Sequence, residues 1–339
     1  MNAIKLIWER ARQKPQHIVL PEGLDPRTVK AAETIVREKL GKVTVLGPRD
    51  KIAALCREQG VKMDGFAVED PAQSPLLDEF IDRYVEMRKS KKPVTPDEAR
   101  SVLLEDVAFG AMMEHTGRVD GLVAGAVHPT ANVCRAVFRI IGTSSDVKIA
   151  SSFNLMQLPT NEFGTNGALI YADTGAAIAP TTEELADIAV ASARTAWALL
   201  NARPKIAMIS FSTKGSAKHP VLDRIIEATE LAAKRMREIG LEADIDGELQ
   251  ADAALIPEVC AKKAPGSPIA GQANVLVFPD LNAGNTCYKL TERLAHAEAY
   301  GPVFQGLKKP ASDLSRGCSA NDIVGIAAII ACQAMAQAK

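Results

Sequence analysis

The chain has 339 residues, more than a single hydrophobic core usually organises, so the sequence predicts two domains. Apolar residues make up 47% of it, which supports a large buried core and excludes a disordered protein. The 40 basic and 41 acidic residues almost cancel, so neither nucleic acid nor a membrane is an expected partner, and an anionic partner should be small and locally bound.

The first half of the chain alternates short apolar runs with longer amphipathic segments. Strands are predicted at residues 18–21, 42–47 and 122–127, and helices at 26–40 and 97–117. The strands are rich in β-branched residues and almost continuously apolar, which is typical of parallel strands covered on both faces. This half therefore predicts a parallel sheet between layers of helices.

A second series of the same kind begins near Lys148. Its predicted strands are 148–158, 167–174, 205–212 and 273–281, and its predicted helices are 181–200 and 219–240. The segment 242–255 fits a strand followed by a helix, and the apolar run 323–335 fits a buried helix. The two series together predict an α/β protein.

The cysteine pattern and the N-terminus indicate the cellular compartment. Six cysteines are scattered along the chain, without a C-x-x-C motif and without the Cys–His spacing of a metal site. We expect no bound metal, and cysteines that are buried or in loops in a reducing compartment. The N-terminus lacks the apolar core of a signal peptide, and no run reaches the roughly 18 apolar residues of a membrane span. These features predict a cytoplasmic protein.

The stretch GPVFQGLKKPASDLSRGCSANDIV, from Gly301 to Val324, concentrates polar chemistry before the last predicted helix. Within ten residues it carries Asp313, Ser315, Arg316, Cys318, Ser319 and Asp322. Ser319 and Asp322 have the three-residue spacing of a capping box. The remaining polar side chains are expected on a loop that leads to a helix N-terminus, where backbone N–H groups and the helix dipole favour anions.

Signatures of nucleotide binding are missing from the sequence, which has neither a P-loop nor a G-x-G-x-x-G motif after a strand. The segment TKGSAKH, residues 213–219, has the Thr, Lys, Gly and Ser of a phosphate loop around Lys214. A polar strand-to-helix turn explains it equally well.

The segment FPDLNAGNTCYKL, residues 278–290, follows a predicted strand. A tight turn accounts for much of its Asn and Gly content, because both residues tolerate left-handed backbone conformations. A turn does not require Asn282, Asn285 and Lys289 together. We expect these three residues to line a cleft.

Two arginine-containing segments are candidates for anion binding. In HPTANVCRAVFR, Arg135 and Arg139 lie four residues apart after a strand and a loop. Either one fits a solvated helix, but an arginine beyond the carboxyl end of a strand is also well placed for an anion. Arg88 lies in the basic segment VEMRKSKK, which is of a kind that usually forms only a solvated surface.

Five segments together resemble the acetyl/butyryl phosphotransferase family: LPEGLDPRTVKAA, LVAGAVHPT, STKGSAKHP, FPDLNAGNTCYK and the Gly301–Val324 stretch. They extend over nearly the whole chain. The resemblance implies two doubly wound α/β domains like those of isocitrate and isopropylmalate dehydrogenases, with the active site in the cleft between them. It also implies a homodimer, a discontinuous first domain of residues 1–147 plus 297–339, and a second domain of residues 148–296.

The resemblance implies transfer of an acetyl group between coenzyme A and phosphate. The substrates would be acetyl-CoA, phosphate and acetyl phosphate, with coenzyme A as a substrate and no permanently bound cofactor. The family's phosphate-binding arginine falls on Arg135, with Thr130 in the same segment as a further phosphate ligand. Another active-site arginine falls on Arg88, in a weaker local match.

The resemblance places the family's catalytic Ser-Arg pair on Ser315 and Arg316, and its general base on Asp322. Family members often carry Cys at the position of Thr174. An acyl-enzyme on a thiol is impossible there, which favours direct transfer in a ternary complex.

For Asp322 to remove the thiol proton of coenzyme A, the difference between the two pKa values must be small. A thiol pKa of about 8.5 lies about 4–5 units above that of an ordinary Asp, so unassisted proton transfer runs uphill by roughly 6 kcal/mol. Desolvation by Ile323 and Val324 would narrow this gap, while Arg316 would act on the thiolate, oxyanion and phosphate. Ser315 has no adjacent His, so it suits an oxyanion contact better than nucleophilic attack.

Other functions stay open at this point. A phosphate butyryltransferase, or a broader short-chain acyl phosphotransferase, differs from the acetyl enzyme by only a few methylene groups of substrate. A non-catalytic protein that binds coenzyme A or acyl phosphate would not need Ser315, Arg316 and Asp322. An NAD-linked dehydrogenase of similar fold would need a cofactor fingerprint, which the sequence lacks.

Overall fold

The computed structural model describes residues 2–90, 92–145 and 147–337. Within these ranges the chain forms eleven strands and thirteen α-helices, which confirms the predicted α/β class. It divides into two compact units. Unit 1 comprises Met1–Ile7 and Thr143–Gly306, and unit 2 comprises Trp8–Gly142 and Leu307–Lys339. Both units are discontinuous in sequence, and the domain boundaries expected from the sequence stay a prediction.

The elements up to residue 142 alternate as the sequence predicts, with one exception. They are α1 (Ala3–Gln13), β1 (Gln16–Leu20), α2 (Pro26–Arg37), β2 (Gly41–Leu46), α3 (Arg49–Gln59), β3 (Ala67–Glu69), α4 (Leu77–Arg88), α5 (Pro96–Leu103), α6 (Asp106–His115), β4 (Gly121–Ala124) and α7 (Thr130–Ala136). A π-helical turn, Val137–Ile141, continues α7. The single helix predicted at 97–117 is wrong, because α5 ends at Leu103 and α6 starts afresh at Asp106.

The elements after residue 142 include two strands that the sequence did not reveal, β10 and β11. They are β5 (Ser151–Gln157), β6 (Ala168–Ala172), α8 (Thr182–Leu200), β7 (Lys205–Ile209), α9 (Pro220–Glu238), β8 (Asp244–Leu249), α10 (Ala251–Leu255), α11 (Pro257–Lys263), β9 (Val275–Val277), α12 (Leu281–Leu294), β10 (Glu298–Gln305), β11 (Ala311–Asp313) and α13 (Ala320–Gln337). The strand-then-helix prediction for 242–255 is confirmed by β8 and α10.

The strands of unit 2 are parallel and lie in the order β3-β2-β1-β4-β11. Because parallel strands end at the same edge of a sheet, the segments that follow β1, β4 and β11 come together at one edge. These segments begin with Pro21, Gly125 and Leu314. They contain several of the predicted site residues.

The strands of unit 1 lie in the order β10-β5-β6-β9-β7-β8. β5 runs antiparallel to both β10 and β6, whereas β6, β9, β7 and β8 run parallel to one another. The pairing of the two strands predicted after Lys148 is confirmed, and this sheet is mixed rather than wholly parallel.

Helix α13 fills the core of unit 2. It packs against α2, β1 and β4, and a Cβ on Gly121 of β4 would lie 2.2 Å from Ile330 of α13. By length and composition alone α13 is long and apolar enough to cross a membrane, contrary to the sequence expectation. However, 67% of it is buried within the protein, as in the core helix of a globular protein.

Candidate active site

The Glu22 carboxylate organises the loop between β4 and α7. Its Oε2 accepts hydrogen bonds from the backbone N–H groups of Gly125 (3.1 Å) and Ala126 (2.8 Å), and its Oε1 accepts from those of Val127 (2.8 Å) and His128 (2.9 Å). Burial acts to raise the pKa of Glu22, but these bonds and one from the His128 ring hold it below its ordinary value. An ionised carboxylate, 5% exposed, therefore fixes this loop.

His128 bridges two carboxylates. Its Nδ1 lies 2.9 Å from Oε1 of Glu22, and its Nε2 lies 3.2 Å from Oδ1 of Asp106. The hydrogen bonds with Asp106 and Glu22 raise the pKa of His128 to about 10, against the opposing effect of burial. The ring is therefore a cation at neutral pH, and it joins the loop to the start of α6.

Helix α7 carries two of the predicted phosphate ligands. Thr130 is its first residue, and Arg135, near its end, is exposed and donates from Nη1 to Oδ1 of Asn132 at 3.1 Å. A cavity of about 330 Å³ in unit 2 opens beside this helix. Its walls include Tyr84, Glu105, His128, Asn132, Arg135 and Arg139. Glu22 and Asp106 balance the charge of His128, so the two guanidinium groups are the groups on these walls that suit an anion.

Arg27, in the first turn of α2, clamps the loop that follows β11. Its Nη1 donates to the carbonyl oxygens of Arg316 (2.7 Å) and Cys318 (3.0 Å), and its Nη2 donates to that of Ala126 (2.8 Å). Asp25 binds Nε (2.9 Å) and Nη2 (2.8 Å) of the same guanidinium. One side chain thereby joins the loops that follow β4 and β11.

The predicted Ser-Arg pair lies on this clamped loop. Ser315 and Arg316 are both exposed, and the Ser315 hydroxyl accepts a hydrogen bond from the N–H of Gly317 at 3.3 Å. Cys318 is 8% exposed, and burial raises the pKa of its thiol to about 11. Cys318 is therefore a protonated structural residue, whereas the polar groups of Ser315 and Arg316 face solvent.

Asp322 and Ser319 form the predicted capping box. The Ser319 N–H donates to Oδ2 of Asp322 at 2.7 Å, and the Asp322 N–H donates to the Ser319 hydroxyl at 3.2 Å. This pair starts α13 at Ala320, so the predicted cap is confirmed. Asp322 uses only Oδ2 in this bond.

The Asp313 carboxyl brings several of these segments together. It is the last residue of β11 and 5% exposed. Burial raises the pKa of Asp313 to about 6, with Glu22 acting in the same direction and Thr130 and Arg316 opposing it. Thr130 and Arg316, which are 186 positions apart, are therefore neighbours of one buried carboxyl.

Arg88 is the last residue of α4 in unit 2. Its Nε is buried without a hydrogen-bond partner among the residues that the structure describes. A guanidinium nitrogen in this state has unused donor capacity, since five N–H groups are available on the side chain.

The other four candidate residues belong to unit 1. On α12, Asn285 donates from Nδ2 to the carbonyl oxygen of Thr174 at 3.0 Å, and Lys289 places its Nζ 4.9 Å from the centre of the Tyr288 ring. Asn282 is exposed in the first turn of α12. Lys214 is paired with the Asp246 carboxylate and also donates to the carbonyl oxygen of Gly247 at 3.1 Å.

The loop after β6 is built around Asp173, which is 2% exposed. Its carboxylate accepts from the backbone N–H groups of Gly175 (2.7 Å), Ala176 (2.8 Å) and Ala177 (3.1 Å). Thr174 beside it is fully buried and accepts from Nδ2 of Asn154 at 2.9 Å. Thr174 therefore has a structural partner for its hydroxyl.

Comparison with known proteins identifies the family. A family model described as Phosphate acetyl/butaryl transferase matches residues 2–331. The chain belongs to this family. The phosphate acetyltransferase of Thermoanaerobacterium thermosaccharolyticum is 46% identical over 334 residues, 98% of this chain and 100% of that protein. That of Acetivibrio thermocellus is 45% identical over 334 residues, 98% of each chain.

Solved structures agree with this assignment. The EutD phosphotransacetylase from Staphylococcus aureus is similar, with a TM-score of 0.90, 39% sequence identity and 98% of each chain covered. The resemblance that the sequence segments suggested is thereby confirmed. The fold of the chain is that of the family's solved members.

Three functional candidates escaped sequence reasoning: Glu22, Arg27 and His128. Glu22 and Arg27 lie in the segment LPEGLDPRTVKAA, which carried part of the family resemblance but suggested no role. Apart from Asp25, which lies two residues from Arg27, their partners are 99 to 291 residues away along the chain, so local spacing does not identify them. The available signal was that Glu22 and His128 each directly follow a predicted parallel strand, at the edge where sites form.

Proposed function

We propose that this protein is a phosphate acetyltransferase that interconverts acetyl-CoA and phosphate with acetyl phosphate and coenzyme A. The observation that carries the proposal is the family membership of the whole chain, together with relatives of 45% and 46% identity that bear this name. The exposed Ser315 and Arg316, on the loop that follows β11 at one edge of the unit 2 sheet, support it.

In the proposed reaction the cations of unit 2 hold the phosphoryl group. Arg135 is exposed beside a cavity that Arg139 also lines, so two guanidinium groups are available at that end of the site. Guanidinium groups bind phosphoryl oxygens through paired N–H donors. Arg88 contributes its unused donor capacity, and Thr130 contributes its hydroxyl.

The acyl transfer itself is assigned to the loop after β11. The coenzyme A thiolate attacks the carbonyl carbon of acetyl phosphate, the C–O bond to phosphate breaks, and phosphate leaves with the bonding electrons. Ser315 and Arg316 are proposed to stabilise the negative charge that develops on the carbonyl oxygen. The Arg27 clamp holds the backbone of this loop, which limits the reorganisation needed during the reaction.

Asp322 is proposed to take the thiol proton through Oδ1, because Oδ2 is engaged by the Ser319 N–H. The bond at Oδ2 fixes the carboxylate at the start of α13. A pH–rate profile of Asp322→Asn tests this role: a large loss of kcat with a retained fold supports it. Near-normal turnover would leave Asp322 as a helix cap alone.

An assay of coenzyme A release tests the proposed function. Phosphate-dependent release from acetyl-CoA is the expected result, with slower release from butyryl-CoA. Preference for butyryl-CoA would establish a phosphate butyryltransferase, which the family description also covers. Coenzyme A binding without turnover would indicate a non-catalytic protein.

Three single variants divide the site into its parts. Ser315→Ala should lower kcat with little change in substrate KM, and a trapped acyl-serine would contradict its role. Arg88→Lys and Arg135→Lys should each raise the KM for phosphate and acetyl phosphate, because lysine lacks the paired donors of arginine. Unchanged KM values would remove these residues from the phosphate site.

Asn282, Asn285, Lys289 and Lys214 are proposed to contact coenzyme A. Lys214 is the weakest of the four, since its ammonium group is already paired with Asp246. Alanine substitution at Asn282 and Lys289 should raise the KM for coenzyme A while that for acetyl phosphate stays unchanged. The opposite pattern would place them at the phosphate end.

We also propose a homodimer located in the cytoplasm. The large apolar side chains that unit 1 exposes include Ile178 (74%), Leu290 (52%) and Leu294 (76%), and the two leucines are one turn apart on α12. Exposed apolar groups of this size are typical of protein interfaces. Light scattering after gel filtration should give the mass of a dimer, and Leu294→Glu should shift it towards a monomer.

A further inference from the structure

Arg224, in the second turn of α9, binds two loops of unit 1 at once. Its Nη1 donates to the carbonyl oxygen of Pro180 at 3.1 Å, and its Nη2 donates to that of Pro279 at 3.0 Å. Its Nε is buried and has no hydrogen-bond partner among the residues that the structure describes. A buried donor without a partner costs free energy, so the two carbonyl contacts are what this guanidinium contributes to unit 1.

The two contacts lie at one edge of the unit 1 sheet. Strands β6, β9 and β7 run parallel, so the segments that follow them meet at their common carboxyl edge. Pro180 lies in the loop that follows β6, Pro279 lies in the short segment that follows β9, and α9 begins after the loop that follows β7. One guanidinium therefore joins three neighbouring segments, as Arg27 does in unit 2.

Each contacted proline directly precedes the residue that starts a helix. Thr181 follows Pro180 and caps α8, and Asp280 follows Pro279 and caps α12 through its side chain. Because the ring of a proline fixes its φ, a bound carbonyl at that residue leaves the chain little freedom in how it enters the helix. Arg224 thereby sets the start of α12 relative to the start of α8.

The first turns of α12 pack closely against the loop that follows β6. A Cβ on Gly284 would lie 1.9 Å from the carbonyl oxygen of Asp173, so this approach requires glycine. One turn of α12 also carries Asn285, which binds the carbonyl oxygen of Thr174 in the same loop. A movement of the start of α12 against this loop would therefore displace the side chains of its first turns.

We propose that Arg224 is a positioning residue for the coenzyme A site of unit 1. By holding the loops after β6 and β9 together, it keeps Asn282 and Asn285 of α12 where they meet coenzyme A. The inference rests on the proposed function, because it needs coenzyme A at α12. Arg224 acts through α12 and is not itself a ligand of the substrate.

Arg224→Lys tests this arrangement. Lysine keeps the charge but has a single nitrogen on a flexible chain, so it cannot hold both carbonyls as the guanidinium fork does. In the reaction of acetyl phosphate with coenzyme A, the KM for coenzyme A should rise roughly tenfold, the effect of losing about one hydrogen bond to the substrate. The KM for acetyl phosphate and kcat should stay close to those of the wild type. Equal increases in the two KM values would refute the inference, because they would indicate a general disturbance of the protein.

Arg235→Lys provides the matched control on the same helix. Arg235 donates to the carbonyl oxygen of Glu183 at 3.1 Å and pairs with the Asp187 carboxylate, so both of these contacts are with α8. This variant should lower the midpoint of thermal unfolding and leave the KM for coenzyme A unchanged. If Arg224→Lys changes the kinetics no more than Arg235→Lys does, Arg224 serves the fold alone and the inference is refuted.

A double-mutant cycle with Asn282→Ala separates positioning from a purely structural role. If Arg224 acts by placing Asn282, its replacement should raise the KM for coenzyme A much less in the Asn282→Ala background, roughly twofold instead of tenfold. Equal increases in the two backgrounds would show that the two residues contribute independently, which is incompatible with the proposed positioning.

The outcomes also separate this inference from the proposed function. If Asn282→Ala and Lys289→Ala raise the KM for coenzyme A but Arg224→Lys does not, the role of Arg224 is refuted and the coenzyme A site on α12 stands. If neither alanine variant changes that KM, α12 does not bind coenzyme A, and both ideas fail. Thermal unfolding of each variant shows whether the protein is folded.

Discussion

Replacing Glu22 by Gln should destabilise unit 2 far more than an ordinary loss of one surface charge. The Glu22 carboxylate accepts four backbone N–H groups and one ring N–H, at 2.8 to 3.1 Å. A Gln amide has one oxygen, which accepts two such bonds. Its NH₂ group would face N–H donors where the second carboxylate oxygen now lies.

The magnitude can be worked out from the bonds that are lost. A hydrogen bond to a charged group contributes about 1.5–3 kcal/mol, and Gln loses at least two of them. The substitution also removes one of the two carboxylate partners of the His128 cation, so that only Asp106 remains. Breaking a buried ion pair costs about 3–5 kcal/mol. Because the His128 contact is itself one of the five bonds, the two contributions overlap, and we expect the free energy of unfolding of unit 2 to fall by at least about 3 kcal/mol.

The two tryptophans allow unit 2 to be measured separately. Trp8 belongs to unit 2 and Trp197 to unit 1. In a Trp197→Phe background, urea unfolding followed by fluorescence reports on unit 2 through Trp8 alone. This separation matters, since a protein of two units need not unfold in one step.

Glu33→Gln provides the matched control in the same unit. Glu33 accepts a single exposed backbone bond, from the Lys62 N–H at 2.9 Å, and its loss should cost less than about 1 kcal/mol. Equal shifts of the urea midpoint in the Glu22 and Glu33 variants would refute the argument that the four-fold acceptor at Glu22 fixes the loop.

Three further outcomes are expected. The raised pKa of His128 stabilises unit 2 fully below pH 6.5, and this stabilisation is lost as pH rises through about 10. Asp106→Asn should make this loss smaller. If the free energy of unfolding of the variant fell with pH as steeply as that of the wild type in the fluorescence assay, the pairing with Asp106 would be contradicted. Arg27→Lys loses the paired donors to the loop after β11, so kcat should fall about tenfold. An unchanged kcat would show that the Arg27 clamp is not needed for catalysis. Thr174→Cys loses a buried hydrogen bond and should lower the free energy of unfolding by about 1 kcal/mol without changing kcat, whereas a large fall in kcat would contradict the structural role of Thr174.

Most elements of the fold were predictable because their signals are local. Apolar runs located β1, β2, β4 and β7 within a few residues, and helical periodicity with capping residues located α8 and α9. Strand β10 escaped because Gly301 and Pro302 interrupt it, and Pro cannot donate to the ladder. Its register with β5 shifts at this point, between Tyr300 and Val303. Strand β11 escaped because three residues carry too little pattern.

In the candidate site too, the residues with local signals were predictable and those with distant partners were not. The Ser319–Asp322 pair was readable because helix geometry fixes which side chains three residues apart meet. The roles of Glu22 and Asp313 were not readable, because their partners depend on β4 lying between β1 and β11. Spacing along the chain does not encode this order. Asp313 shows the consequence: within its own segment it resembles a loop residue, whereas in the fold it lies against the backbone of Gly125 and burial raises its pKa to about 6. A charged residue directly after a parallel strand is therefore best evaluated together with the loops at the carboxyl ends of the neighbouring strands.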